Sequence, residues 1–513
     1  MNIKNILLNL DEKELRDRKH AERDFLFYLG ECRNKTMGLL DDDFLGQSWI
    51  TFDNLDYTPS QIVDNKVKPL INKQARFMFG KEPTIILKAY EKEHKEACEE
   101  LRQYIDSILN ASKFWSNTLK AFKIATITKR VLLRLEAEPN QPIRLFYHSI
   151  NDFKYQVDSN DITKLKSVVF VRFDSSSIKE VTAKQIWYRY TYYMKKSNVS
   201  NQESCFIKIE KFKGDNLSKP IKITENDTKL SKIPCWVIVN EQSITNIRGI
   251  SDIEDLKPLQ DTYNKRLSDF NDSLKFLMFG QTVVVDATEE TVNACKIAPN
   301  ALMALKTLEE GSEKAKQAQA YRVESSFSNA DPVNSFFKRL EDSMYEKLAI
   351  PRPEQLQNIP SAKALKYLYT ELIARCSEKW NDWEPAIRSM LRLIVEACSK
   401  FNCYDDWNHD WDDLMFSIVL NKNYPIPEDE EDSKRLALEE VNNNVRSHRN
   451  YIKEFGDDED YEEAFNEVLE DNEKIQSVEQ DQFRKDADIE VDDIDEELNN
   501  ESNNKNSNNN TNE

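Results

Sequence analysis

Glycine is scarce in this chain, 9 of 513 residues. Enzymes that cradle phosphates do so on glycine-rich loops, and neither GxGxxG nor GxxxxGKS/T occurs. Histidine is scarcer still: His20, His94, His148, His409 and His448 leave few places for a Ser–His–Asp or Cys–His arrangement, and GxSxG and HExxH are absent. The 8 cysteines (Cys32, Cys98, Cys205, Cys235, Cys295, Cys376, Cys398, Cys403) are dispersed and form no disulfide framework. Reduced thiols in a cytoplasm are the expectation. No run of ~18 apolar residues exists, so no membrane span is expected. The opening MNIKNILLNLDEKEL meets charge at once and lacks the apolar core of a leader peptide.

Charge is abundant, at 32% of residues, and its net of −20 is unevenly placed. From Glu454 to Glu513 there are 23 Asp and Glu against 4 Lys and Arg, a net of −19, so the other 453 residues carry −1. A chain-wide basic field for gripping DNA is therefore missing, although a few lysines on one surface can still meet phosphates. From about Gln476 the chain is acidic, then asparagine-rich and without aromatic anchors, a composition that predicts disorder.

Length predicts several subdomains. Residues 1–138 read mainly helical, with Pro59–Gly80, Glu93–Leu109 and Phe114–Leu135 as apolar-periodic segments. Between 141 and 240, IRLFYHSI, KSVVFVRFD, QIWYRYTYYMKK, SCFIKIEKF and CWVIVN predict an antiparallel β region. A helix then opens at Ser251, with Glu254 completing a capping box, and stops at Gly280. Pro258 is expected to bend its early part. Leu256, Leu259, Tyr263, Leu267, Phe270, Leu274, Leu277 and Met278 share one face of this rod of roughly 40 Å.

A β-containing insert follows over 281–327, with a short helix around Glu289–Cys295, and then a second helix over Asp331–Leu348. After a proline-bearing loop, Ser361 opens a helix that runs to about Phe401, interrupted only by Pro385. WDDLMFSIVL (411–420) reads as a strand, followed by a break and one or two helices. The sum is a predominantly helical α+β chain.

Chemistry-bearing clusters are weak. His94 and Cys98 share an i, i+4 spacing, and Cys398, Cys403, His409 and Asp413 form a looser set, but neither has paired CxxC spacing. Half-buried thiols and surface histidines account for both better. The acidic runs Asp41–Asp43, Asp457–Asp460 and Asp492–Glu497 lie in predicted loops or tails, where solvated charge is the better account than a Mg²⁺ site. The aromatic strand Ile186–Tyr193 reads as a packed sheet face rather than a base-stacking platform. Lys338, Arg339, Lys347, Arg352, Lys363 and Lys366 gather around the proline loop, where transient phosphate contact and ordinary solubility charge are equally good readings.

Five stretches stand in order along the chain: VKPLINKQARFMFGKEPTI (Val67–Ile85), SKIPCWVIVNEQ (Ser231–Gln242), RGISDIEDLKPLQDTYNKRLSDFNDSL (Arg248–Leu274), the long helix Ser361–Ile394 and FSIVLNKNYPIPEDEEDSKRLALEE (Phe416–Glu440). Together they resemble the portal proteins of tailed double-stranded DNA bacteriophages, most nearly those of long-tailed phages of Gram-positive hosts. The resemblance implies a portal-type subunit: a wing over 1–247 closed by a strand over 403–427, stem helices at 248–280 and 330–349, and a clip at 281–329. It further implies a tunnel loop at 350–361, a kinked long helix at 362–402 and a crown at 428–474, with the tail 475–513 left over.

It implies no catalysis, no metal and no cofactor. It implies a twelve-subunit ring at a capsid vertex, assembled in the host cytoplasm. Its partners would be the terminase large subunit, a head–tail adaptor, the major capsid and scaffolding proteins, and double-stranded DNA in the channel. Arg352, Gln355, Asn358, Lys363 and Lys366 would face DNA at the tunnel loop, and Lys265, Arg266, Lys338 and Arg339 would mark the stem. The rivals are a Mg²⁺-dependent DNA-processing enzyme of a mobile element and a protein-only scaffold or adaptor.

Overall fold

The computed structural model describes residues 3–34, 47–49, 58–161, 164–196, 203–243, 245–278, 281–285, 288–289, 319–323, 330–356, 362–426, 430–443, 445–456 and 462–474. In chain order the helices are α1 Ile3–Leu8, α2 Glu12–Leu29, α3 Val67–Phe79, α4 Lys95–Ala111, α5 Phe114–Thr128, α6 Lys257–Met278, α7 Ala330–Lys347, α8 Ala362–Leu368, α9 Thr370–Phe401, α10 Glu430–Asn442 and α11 His448–Phe455. The strands are β1 Cys32–Asn34, β2 Gln47–Trp49, β3 Thr84–Ala89, β4 Arg130–Glu136, β5 Arg144–Ser149, β6 Phe153–Val157, β7 Leu165–Phe173, β8 Ile186–Lys196, β9 Glu203–Lys213, β10 Lys222–Asp227, β11 Cys235–Val239, β12 Gln281–Val285, β13 Gln319–Val323 and β14 Phe416–Asn421.

The β region forms two antiparallel sheets, one ordered β10-β9-β8-β7-β6 and one ordered β11-β4-β5. β4 corrects the sequence reading, which carried the preceding helix through Leu135. α5 ends at Thr128, Lys129 turns left-handed (φ 75), and the chain re-emerges extended. Val131, Leu132, Leu133 and Leu135 are all buried because β4 is the central strand, covered on both faces. An apolar run without alternation does not by itself separate strand from helix. The aromatic strand β8 packs as expected: Tyr192 is buried, and Tyr190 stacks on Phe170 with centroids 4.8 Å apart.

The main core gathers α3, α4, α5, both sheets and α9. Trp380 and Trp383 of α9 lie against Phe79 of α3 at 5.0 and 5.3 Å, and burial of such rings dominates core energetics. The helix expected from Ser361, with Pro385 as its only interruption, is divided at Tyr369, whose ring stacks on Phe77 at 5.2 Å. Pro385, by contrast, sits inside a continuous helix with its ring on the exposed side. The strand expected over 411–420 begins only at Phe416 and pairs antiparallel with β3. Residues 409–411 are a 3-10 turn instead.

Residues 360–363 and 427–513 cluster as a separate unit from the rest. In its described part, α10 and α11 are followed by a helical stretch over 462–474. Arg446 pairs with Glu440 and Glu454, and Arg449 with Glu462. The predicted tail, the acidic runs at 41–43, 457–460 and 492–497, the helix at 289–295 and most of the 281–329 insert lie outside the described residues.

Candidate functional site

The helix expected from Ser251 begins six residues later, at Lys257. Ser251 does not cap it. Its hydroxyl donates to the Ile127 carbonyl at 2.7 Å, and Glu254 pairs with Lys257 at 3.2 Å, so no capping box forms. Pro258 falls in the first turn, where its missing N–H is harmless, and is no bend. The apolar stripe is present but fades along the rod. Leu256 and Tyr263 are buried, Leu259 and Leu267 pack against the core, and Leu274 is 38% exposed. The side chains of Leu277 and Met278 lie outside the described residues.

Sequence reading missed a second stripe. Gln260, Asn264, Ser268 and Asp272 recur every four residues, and all four are buried. An extended strap, residues 60–66, runs antiparallel along them. Lys66 N–H donates to Gln260 Oε1 (2.9 Å), Asp64 N–H to Asn264 Oδ1 (3.2 Å), Ile62 N–H to Ser268 Oγ (2.9 Å) and Ser60 N–H to Asp272 Oδ2 (2.8 Å). Four helical residues rise about 6.0 Å and two extended residues about 6.6 Å, so the two repeats stay in step over four rungs. The i, i+4 spacing of four short polar residues was the available signal.

The strap also ties α6 to α7. Lys66 Nζ lies 3.0 Å from Asp64 and 3.1 Å from Glu341 of α7, and Tyr263 Oη donates to Glu341 at 2.9 Å. Burial opposes the charge on Lys66, but the two carboxylates hold it above the ordinary lysine range. Burial, with Glu341 beside it, pushes the Tyr263 hydroxyl up to about 12.

Before α6, a buried ionic joint fastens its lead-in to α9. Asp252 has no exposed side-chain surface and sits 2.9 Å from Lys379 and 3.4 Å from Arg375. Lys379 also donates to Asn240 Oδ1 (2.8 Å) and pairs with Glu241 (3.2 Å). Burial would raise the Asp252 pKa, yet Lys379 and Arg375 keep it below the ordinary carboxylate range. Nearby, burial pushes the Asp382 carboxyl up to about 6. Gly249 enters this joint at φ +80, with the Asn240 carbonyl only 2.6 Å from where a Cβ would stand.

The predicted cations are not assembled into one patch. Arg352 is neutralised by Asp342 at 2.9 Å and by Glu346, and its N–H donates to Gln355. Arg266 pairs with Asp269 at 3.0 Å and Lys347 with Asp255 at 3.6 Å. Lys338, Arg339 and Lys366 are exposed, and Lys265 is half-buried. Asn358 and the side chain of Lys363 lie outside the described residues. Lys73 of α3 donates to the Pro351 carbonyl at 3.4 Å, which fixes the start of the loop. A cleft of about 390 Å³ between α6 and α7 is lined by Phe270, Pro332, Val333, Phe336 and Phe337, with Phe336 43% exposed.

Among the described residues the metal candidates do not come together as a ligand set. His94 lies in the 3-10 turn before α4, while Cys98 is a core residue. Cys398 and Cys403 are buried, and His409 pairs with Asp412 at 2.9 Å. Among the described residues no group of three or more His, Cys, Asp or Glu is placed to hold a metal, and no helix is long and apolar enough to cross a membrane. What the region offers is mechanical: two neighbouring helices clamped by polar contacts, with a loop between α7 and α8 pinned at its start. A family model, described as phage portal protein, SPP1 Gp6-like, matches residues 8–478. No curated protein matches the chain.

Proposed function

This chain belongs to the phage portal protein family of the SPP1 Gp6-like type, a structural family of the virion, and from that premise we propose that it forms a ring whose axis carries DNA. Twelve subunits at one capsid vertex would enclose a channel used for packaging and for ejection. α6 and α7 are its stem, the insert that carries β12 and β13 its clip, and the loop from Ile350 to Ser361 the constriction around the duplex. The clip is the docking surface for the terminase large subunit during packaging and for the head–tail adaptor afterwards. The wing meets the major capsid and scaffolding proteins, and assembly takes place in the host cytoplasm.

The observation that carries the reading is the family match over 8–478, nearly the whole chain. The charge distribution supports it, because a body of net −1 suits a conduit in which DNA slides. Neutralising many phosphates would hold the duplex in place instead. The clamping of α6 supports it too. One side of the helix is taken by the strap and another by α7, and the exposed Arg266, Asp269 and Ser273 line the open cleft beside α7, which leaves that rim to meet a neighbour or the channel.

The test is charge reversal at the loop. Lys363→Glu with Lys366→Glu should leave rings intact and impair genome packaging. Packaging at the native rate by that double variant would remove the loop's contact with DNA.

A further inference from the structure

We propose that the strap, residues 60–66, is a releasable latch on α6, and that it opens as a unit while the Asp252 joint stays closed. The two attachments are built differently. The joint is an ionic cluster with its carboxylate fully buried, and the backbone around it is bonded as well: Ile250 N–H to Asn240 O at 3.0 Å and Asp252 N–H to Thr126 O at 2.9 Å. The strap holds α6 mainly through main-chain N–H groups on side-chain acceptors. Its own side chains are half-buried or exposed, with Val63 37% exposed. Such bonds exchange readily for bonds to water, with little net change.

The stripe stays satisfied without the strap. Gln260 Nε2 donates to Asn264 Oδ1 at 3.0 Å, Ser268 Oγ to the Asn264 carbonyl at 2.8 Å, and Lys275 lies 3.2 Å from Asp272. On opening, Gln260 Nε2 loses the Asp64 carbonyl (2.8 Å) but keeps Asn264, and the surface uncovered to water is polar instead of apolar.

The two ends of the strap set the direction of opening. At one end Lys66 runs straight into α3, whose first residue, Val67, is fully buried. At the other, Ser60 is held, among the described residues, by polar contacts: its N–H and hydroxyl both donate to Asp272, and Asn271 and Lys275 donate to its Oγ. Release starts at Ser60 and stops at Val67. Locally cooperative opening of this kind is how segments with few apolar contacts behave. In the ring, on the portal reading, an open latch frees α6 to reseat against α7 without disturbing its lead-in.

The test is amide hydrogen exchange on the assembled full-length protein. Ser60, Ile62, Asp64 and Lys66 should exchange together, about tenfold or more faster than Ile250 and Asp252. Oxidising an Ile62→Cys/Ser268→Cys pair to a disulfide should slow all four. Equal rates at strap and joint, or four unrelated rates, overturn the latch. If the cysteine pair does not fold, Asn264→Ala with Ser268→Ala removes two rungs without added bulk. It should speed the strap amides and leave the joint amides unchanged; unchanged strap rates overturn the proposal. These readouts do not depend on the portal reading, whereas packaging does. Oxidised rings should lose packaging and regain it on reduction, and native packaging with the bridge closed would remove the latch from DNA transport.

Discussion

At Asp252 a carboxylate with no exposed surface faces Lys379 at 2.9 Å and Arg375 at 3.4 Å, and the arrangement is more specific than it is stabilising. Desolvating these charges offsets most of their attraction, but removing one partner leaves the others uncompensated. Asp252→Asn should cost about 3 kcal/mol in denaturant unfolding, while Asp252→Leu with Lys379→Met should recover most of that loss. Asp382 yields a pH prediction. Burial raises its pKa to about 6, so the folded state binds its proton more tightly than the unfolded chain does. That contribution is fully present below about pH 4, where both states are protonated, and fades as pH rises to about 6. Asp382→Asn should therefore stabilise the fold at pH 8, by less than about 3 kcal/mol once solvent screening is allowed for, and so raise the melting temperature there while changing it little at pH 4. Thermal melts at the two pH values check the sign.

Among the elements, those with a clean period were legible and those without were not. α6 and α7 follow from apolar residues at helical spacing, and β5, β7, β8, β9 and β11 from β-branched and aromatic runs. β4 escapes sequence reading because Leu132 breaks its alternation and both of its faces are buried, the one carrying Arg130 and Arg134 included. The strap was invisible because it has no hydrophobic pattern of its own; what holds it is the polar stripe on a helix 194 to 212 residues away. The start of α6 was misplaced because Ser251 reads as a cap but binds the end of α5 instead. None of the predicted loop cations could be checked for partners from sequence, since the carboxylates that engage Arg352 lie on α7, 6 and 10 residues away. Pro385 offers a prediction at this scale. It removes one hydrogen bond from the exposed side of α9, so Pro385→Ala should stabilise the subunit by about 1–3 kcal/mol in thermal unfolding.

For the whole molecule, the family match ends at 478, ahead of the most acidic and asparagine-rich part of the chain. Deletion of residues 479–513 should leave assembly intact, as judged by sizing chromatography. The central claim is that the clamped helices α6 and α7 line a channel in a closed ring. Electron micrographs of the purified full-length chain, with the mass measured on the same sample, test it most directly. The account predicts rings of many subunits around an opening wide enough for a DNA duplex. A stable monomer, persisting even when the chain is produced together with its capsid partners, would contradict it.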